Sequence, residues 1–132
     1  MTAEPSTTLS LGVLLVDHGS KIDSANQSLA TLATEMSKQG RYRSVRHAHM
    51  ELAAPDIAEG FRGLVSDGVS RIIVLPYFLA VGRHAGEDIP RLCRAAAEQS
   101  PGIQWTLAQP VGTSPAITAI VDERIDAALT VD

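Results

Sequence analysis

Two stretches of the chain are apolar on both parities, and they constrain the fold more than anything else in the sequence. Leu11 to Asp17 (LGVLLVD) and Arg71 to Ala80 (RIIVLPYFLA) carry large aliphatic side chains with no polar alternation. A strand can afford that only when both of its faces are covered. Two further runs, RSVRHAHMEL from Arg43 to Leu52 and IQWTLAQ from Ile103 to Gln109, alternate polar with apolar and read as less buried edges.

Helical segments separate the four strands. Ser24 and Gln27 resemble a capping box, after which Ala25, Leu29, Leu32, Ala33 and Met36 share one face until Gly40. Pro55 opens a second helix with Ile57, Ala58, Phe61, Leu64 and Val65 inward, and Gly68 stops it. The loop VGRHAGED leads to a third helix expected to begin around Pro90. Ser114 and Pro115 cap a last one carrying Ile117, Ile120, Val121, Ile125 and Leu129.

The pattern is strand then helix, four times. Such alternation predicts a parallel sheet with right-handed crossovers, helices on both faces and a three-layer α/β sandwich. With strands 1 and 3 central, the expected order is 2-1-3-4, a flavodoxin-like winding. The 132 residues form one expected domain, with residues 1–8 expected to be disordered.

Composition removes several function classes. A net charge of -4 gives a nucleic-acid partner no electrostatic footprint. The one cysteine, Cys93, excludes a disulfide framework, a cysteine zinc cage and an iron–sulfur cluster. The apolar run Leu9 to Val16 is far shorter than the roughly 20 residues of a membrane helix, so no membrane partner and a cytoplasmic location are expected. Phosphate-loop, dinucleotide-binding, serine-elbow and zinc-helix motifs are absent, and no organic cofactor is expected.

In a 2-1-3-4 sheet the winding reverses between strands 1 and 3, and ligands bind in the crevice at the carboxyl ends there. His18, in VDHGS, follows strand 1. His84, in VGRHAGEDIP, follows strand 3. An isolated His-Gly is usually just a turn. Two histidines from distant positions at one switch point are better read as a site.

Period-two alternation sets His47, His49 and Glu51 on one side of strand 2. Glu51, at the carboxyl end, is the candidate; His49 is a weaker one, and His47 is read as structural. Imidazoles with a carboxylate suit a divalent first-row metal such as cobalt, nickel or iron(II), and an imidazole also serves as a base near its ordinary pKa of about 6.5. Lys21, Arg62, Arg83 and Arg91 are candidate anion contacts, with Arg83 favoured because it adjoins His84.

The order VDHGS, ELAAPDIAEG, PYFLAVGRHAGEDIP and QPVGTSPAI, with Arg124 near the end, resembles the short sirohydrochlorin chelatases. These small class II enzymes insert cobalt or iron into sirohydrochlorin on the routes to cobalamin and siroheme. The resemblance implies that His18 and His84 are catalytic and metal-binding, with Glu51 as an accompanying metal ligand. Pro110-Val111-Gly112 stands where the family usually has Pro-Leu-Gly.

The macrocycle has a rim of carboxylates, which calls for Lys21 and Arg83. Gly82 and Tyr77 complete the expected substrate-binding set. A flat tetrapyrrole is large against one small sheet, so a homodimer is expected. Three rival readings remain at this point: a tetrapyrrole or metal carrier without turnover, a nickel-specific chelatase, and a phosphate-binding or signalling domain.

Overall fold

The computed structural model describes residues 10–131; the expectation for residues 1–8 lies outside them. The elements are β1 (Leu11–Asp17), α1 (Asp23–Lys38), β2 (Ser44–His49), α2 (Ile57–Ser66), β3 (Arg71–Pro76), α3 (Arg83–Glu98), β4 (Gln104–Leu107), a 3-10 turn (Val111–Thr113) and α4 (Ala116–Leu129). The four strands form one sheet in the order β2-β1-β3-β4, every pair parallel.

β1 is buried on both faces, and its two parities serve different cores. Leu14 and Val16 join Phe61 and Leu64 of α2 and Ile89 and Cys93 of α3 on one side. Val13 and Leu15 meet Leu29 and Ala33 of α1 on the other. Each such side chain contributes about 1.5–3 kcal/mol on burial, so the central strand anchors both layers.

Several local expectations are corrected. α1 is not opened by a Ser24 capping box: Ile22 holds the cap position without a side-chain bond, and Ser24 lies inside the helix. The entry turn is tied by Asn26, which accepts from the Ser20 amide at 2.9 Å and donates to the Ser20 carbonyl at 2.7 Å. The true capping box is at α2, where Asp56 accepts from the Glu59 amide at 2.8 Å and the Asp56 amide donates to the Glu59 carboxylate.

β3 ends at Pro76, so Tyr77 to Ala80 leave the sheet. The third helix begins at Arg83, with Pro90 inside it, so Arg83 and His84 are helical residues and not part of a loop. The buried positions Ala85, Ile89, Cys93 and Ala96 continue one stripe through the proline. Pro90 forfeits a single N–H, the one that would reach the Gly86 carbonyl, and the packing of that stripe outweighs the loss.

α4 forms where expected but packs least. None of its residues is buried, and Ile120, Val121, Ile125 and Leu129 are 49, 49, 52 and 78% exposed. Amphipathic spacing shows that a face seeks cover; it does not say what supplies it.

Candidate active site

The carboxyl ends of β1, β2 and β3 lie side by side, and the backbone goes on pairing beyond the strands. The Met50 amide donates to the Asp17 carbonyl at 2.8 Å, the Glu51 amide to the His18 carbonyl at 3.1 Å, and the Tyr77 amide to the Val16 carbonyl at 2.6 Å. These bonds bring His18, Glu51 and Tyr77, from three separate segments, to one edge of the sheet.

His18 and Glu51 meet there: Nε2 of His18 lies 3.1 Å from Oε1 of Glu51, with both side chains about half exposed. Nδ1 of His18 lies 3.3 Å from the Gly19 carbonyl oxygen. Gly19 has a φ of 92°, and a Cβ at this position would collide with the Glu51 carbonyl, so only glycine permits the two segments to approach this closely. Leu52, just beyond Glu51, has a φ of 71°. A non-glycine residue held there costs of order 1–3 kcal/mol, and such strain collects where a fold fixes a side chain for use.

One rung inward, Nδ1–H of His49 donates to Oδ1 of Asp17 at 2.6 Å, and the His49 side chain is 1% exposed. The His47 ring meets that of His49 edge-on with centroids 5.4 Å apart. Burial lowers the pKa of His47 from its usual value, and His49 pushes it the same way against the opposing pull of Asp17.

His84 is placed differently. It occupies the first turn of α3, 70% exposed, with Nε2 at 3.0 Å from Oδ2 of Asp88 one turn on. Asp88 also accepts from Arg91 Nη2 at 3.2 Å. Arg83 is 92% exposed and reaches Glu87 at 3.3 Å. Lys21 is exposed in the turn before α1, and Gly82 is the cap residue of α3 with open space around it.

The structure therefore joins His18 to Glu51 and pairs His84 with Asp88. Among the described residues, no group of three His, Cys, Asp or Glu is close enough to hold a metal ion. Asp88 and Asp17 had not been singled out. Asp88 sits at helical spacing from His84, a signal hidden by reading that segment as a loop, and Asp17 becomes a partner of His49 only through strand register.

Beside Tyr77 an apolar cavity of about 330 Å³ is lined by Tyr77, Phe78, Leu79, Val111, Ile117 and Ile120. Its walls come from the segment after β3, the 3-10 turn and α4. Among the described residues, no helix is long and apolar enough to cross a membrane.

The sequence and the fold are similar to those of a known group of proteins. The chain is 36% identical over 119 residues to the chloroplastic sirohydrochlorin ferrochelatase of Arabidopsis thaliana, covering 90% of this chain and 53% of that protein. It is 35% identical over 118 residues to the sirohydrochlorin cobaltochelatase of Sulfurisphaera tokodaii, covering 89% of this chain and 93% of that one.

Among solved structures, SirB from Bacillus subtilis with Fe3+ superposes with a TM-score of 0.82 at 26% identity, over 93% of this chain and 48% of SirB. A CbiX protein from Marinobacter aquaeolei superposes with a TM-score of 0.79 at 26% identity, over 90% of this chain and 97% of that one. The chain thus spans about half the length of the Arabidopsis and Bacillus relatives and nearly all of the Sulfurisphaera and Marinobacter ones. The CbiX family model matches residues 12–128, and the chain belongs to the CbiX family.

Proposed function

We propose that this chain is a sirohydrochlorin chelatase, a lyase-class enzyme that inserts cobalt or iron(II) into the tetrapyrrole for cobalamin or siroheme synthesis, with the metal as substrate. The observation that carries the proposal is the His18–Glu51 pair at 3.1 Å on the carboxyl edge of β1 and β2, in a chain of this family. Insertion requires two pyrrole N–H protons to leave and the metal to exchange its water for ring nitrogens. A base and a borderline ligand supply these needs.

A proton taken up by His18 meets an acceptor at either ring nitrogen, Glu51 at one and the Gly19 carbonyl at the other. His18 is therefore assigned as the proton acceptor. His84, exposed on the first turn of α3, is assigned to present the metal, with Glu51 as a further ligand when metal and macrocycle are both bound.

Lys21 and Arg83 face the carboxylate rim. The Arg83–Glu87 pair is an exposed helix pair worth about 0.3–0.5 kcal/mol, so exchanging Glu87 for a substrate carboxylate costs Arg83 little. The Tyr77 side of the apolar cavity and the backbone at Gly82 receive the flat ring.

The active species is a homodimer in the cytoplasm. Two observations support the second copy: the exposed apolar face of α4, and relatives about twice as long as this chain. The test is an absorbance assay with sirohydrochlorin in large excess over protein, with cobalt, iron(II) or nickel. Many turnovers per chain are expected with cobalt or iron; saturation at one equivalent would make the chain a carrier, and preference for nickel would change the metal. Light scattering checks the assembly, where a fully active monomer would remove the dimer.

A further inference from the structure

The inner rung of the β1–β2 edge is not used by the proposed chemistry, yet it holds His49, the buried polar side chain of the core among the described residues. Asp17 and His49 are direct register partners on neighbouring parallel strands, and their 2.6 Å hydrogen bond is shielded from water on the His49 side. The pair immediately outside it is also histidine with carboxylate, but with the strands exchanged. On the inner rung β1 supplies the acid and β2 the imidazole; on the outer, the chain after β1 supplies His18 and the chain after β2 supplies Glu51.

We propose that His49 and Asp17 are positioning residues, which hold the His18–Glu51 pair in register without touching substrate. His49 is fixed from three directions. Its ring donates to Asp17, its backbone amide donates to the Pro55 carbonyl at 2.8 Å, and the His47 ring meets its ring edge-on at 5.4 Å. The tight turn that carries His18 passes close by the Cβ of His49, where a Cβ on Gly19 would come within 3.1 Å, and the loop returning through Pro55 carries Glu51.

Stability alone is a poor reason for such a pair. A buried polar pair is often no more stabilising than apolar residues of similar volume, because desolvation offsets the hydrogen bond. A leucine at position 49 would fill the same space. What it cannot do is aim the Asp17 side chain, and with it the turn at His18.

The role rests on the chelatase reading, so the test needs two separate readouts. The variants are His49→Leu, which removes the donor, and His49→Asn, whose amide nitrogen places a donor near the position of Nδ1. Asp17→Asn serves as a second approach from the other strand. The geometric readout is the nuclear Overhauser contact between the His18 ring and the Glu51 side chain. The functional readout is kcat against KM for sirohydrochlorin.

His49→Leu is expected to fold, to lose the His18–Glu51 contact and to lower kcat about tenfold while KM changes less than about twofold. His49→Asn is expected to restore the contact and most of kcat; Asp17→Asn should fall between the two. An unaltered contact and unaltered kcat in His49→Leu would overturn the proposal, as would equal losses in His49→Leu and His49→Asn. A wild-type protein without turnover sinks the chelatase reading alone, since the Overhauser contact still decides the positioning role. If His49→Leu fails to fold, the same contact in His49→Asn and Asp17→Asn decides it, and loss in neither refutes it.

Discussion

Two of the three histidine–carboxylate pairs, His18–Glu51 and His84–Asp88, are built in opposite ways. His18 and Glu51 come from segments 33 residues apart and are brought together by strand register, by backbone bonds that continue past the strand ends, and by a glycine that alone fits between them. His84 and Asp88 are neighbours on one helix, 70 and 24% exposed, and owe their contact to helical spacing alone. In the first, the backbone that carries the two side chains can be displaced only by disturbing the sheet. The second can open by rotating a side chain, at a cost of a few tenths of a kcal/mol for an exposed helix pair. The proposed roles, a base at His18 and a metal ligand at His84, would use that difference, since protons must leave from one geometry while the metal must first be collected from solution.

The largest expected difference lies between the two carboxylates. Glu51→Ala removes a partner that the fold supplies, and it should lower kcat about 100-fold, within the range of a general acid–base contribution. Asp88→Ala should change kcat less than about threefold, because His84 does not depend on it for placement. Steady-state absorbance kinetics measure both, and equal losses would break the distinction.

The glycines beside each histidine carry the contrast into stability. Gly19→Ala should destabilise by about 2–3 kcal/mol, since it combines a positive φ with a clash against backbone that cannot move independently. Gly82→Ala, at a φ of -73° with nothing near its side chain, should stay within about 1 kcal/mol of wild type, the range expected of a cap position. Thermal unfolding of the two variants checks this directly.

A smaller effect is expected at the amino edge, where Asp67 accepts from Arg46 Nε at 2.7 Å and from Ser44 at 2.6 Å. The Arg46 hydrogen bond holds the Asp67 carboxyl below its usual pKa. A depressed carboxyl stabilises the fold above its unfolded pKa, and the gain is lost as pH falls through the folded one. Asp67→Asn should therefore cost up to about 1 kcal/mol at neutral pH, given how exposed the pair is, and nothing in strong acid. Denaturant titrations at both pH values test it; kcat should not move, because this pair lies away from the carboxyl edge.

The smallest effect concerns the inner half of α3. Burial pushes the Cys93 thiol up to about 12, so it stays protonated and inert at neutral pH. A thiol reagent should label it only on unfolding. Fast labelling of the folded protein would mean that α3 opens along its whole length and not only at the turn bearing His84.

The features legible in the sequence are those that rest on two-sided burial. LGVLLVD and RIIVLP are central strands because no other arrangement covers both parities, and from that follow the 2-1-3-4 order and the placement of His18 after β1. Two local readings misled. RSVRHAHMEL alternates and reads as a less buried edge, but α1 and α2 cover both faces of β2 and leave Ala48, His49 and Met50 all buried. Pro90 looked like a helix start, although the Ala85, Ile89, Cys93 stripe carries the helix back to Arg83. Which residue answers which across β1 and β2 is a matter of register, and Asp17 opposite His49 is visible only in three dimensions.

The division of labour between the two histidines is tested most directly by steady-state metal insertion with His18→Ala and His84→Ala, varying the metal concentration at saturating sirohydrochlorin. A fixed base and a mobile ligand predict that His18→Ala loses at least about 100-fold in kcat with little change in KM for the metal, whereas His84→Ala loses affinity for the metal more than kcat. Wild-type turnover in His18→Ala, or the same split in both variants, would contradict it.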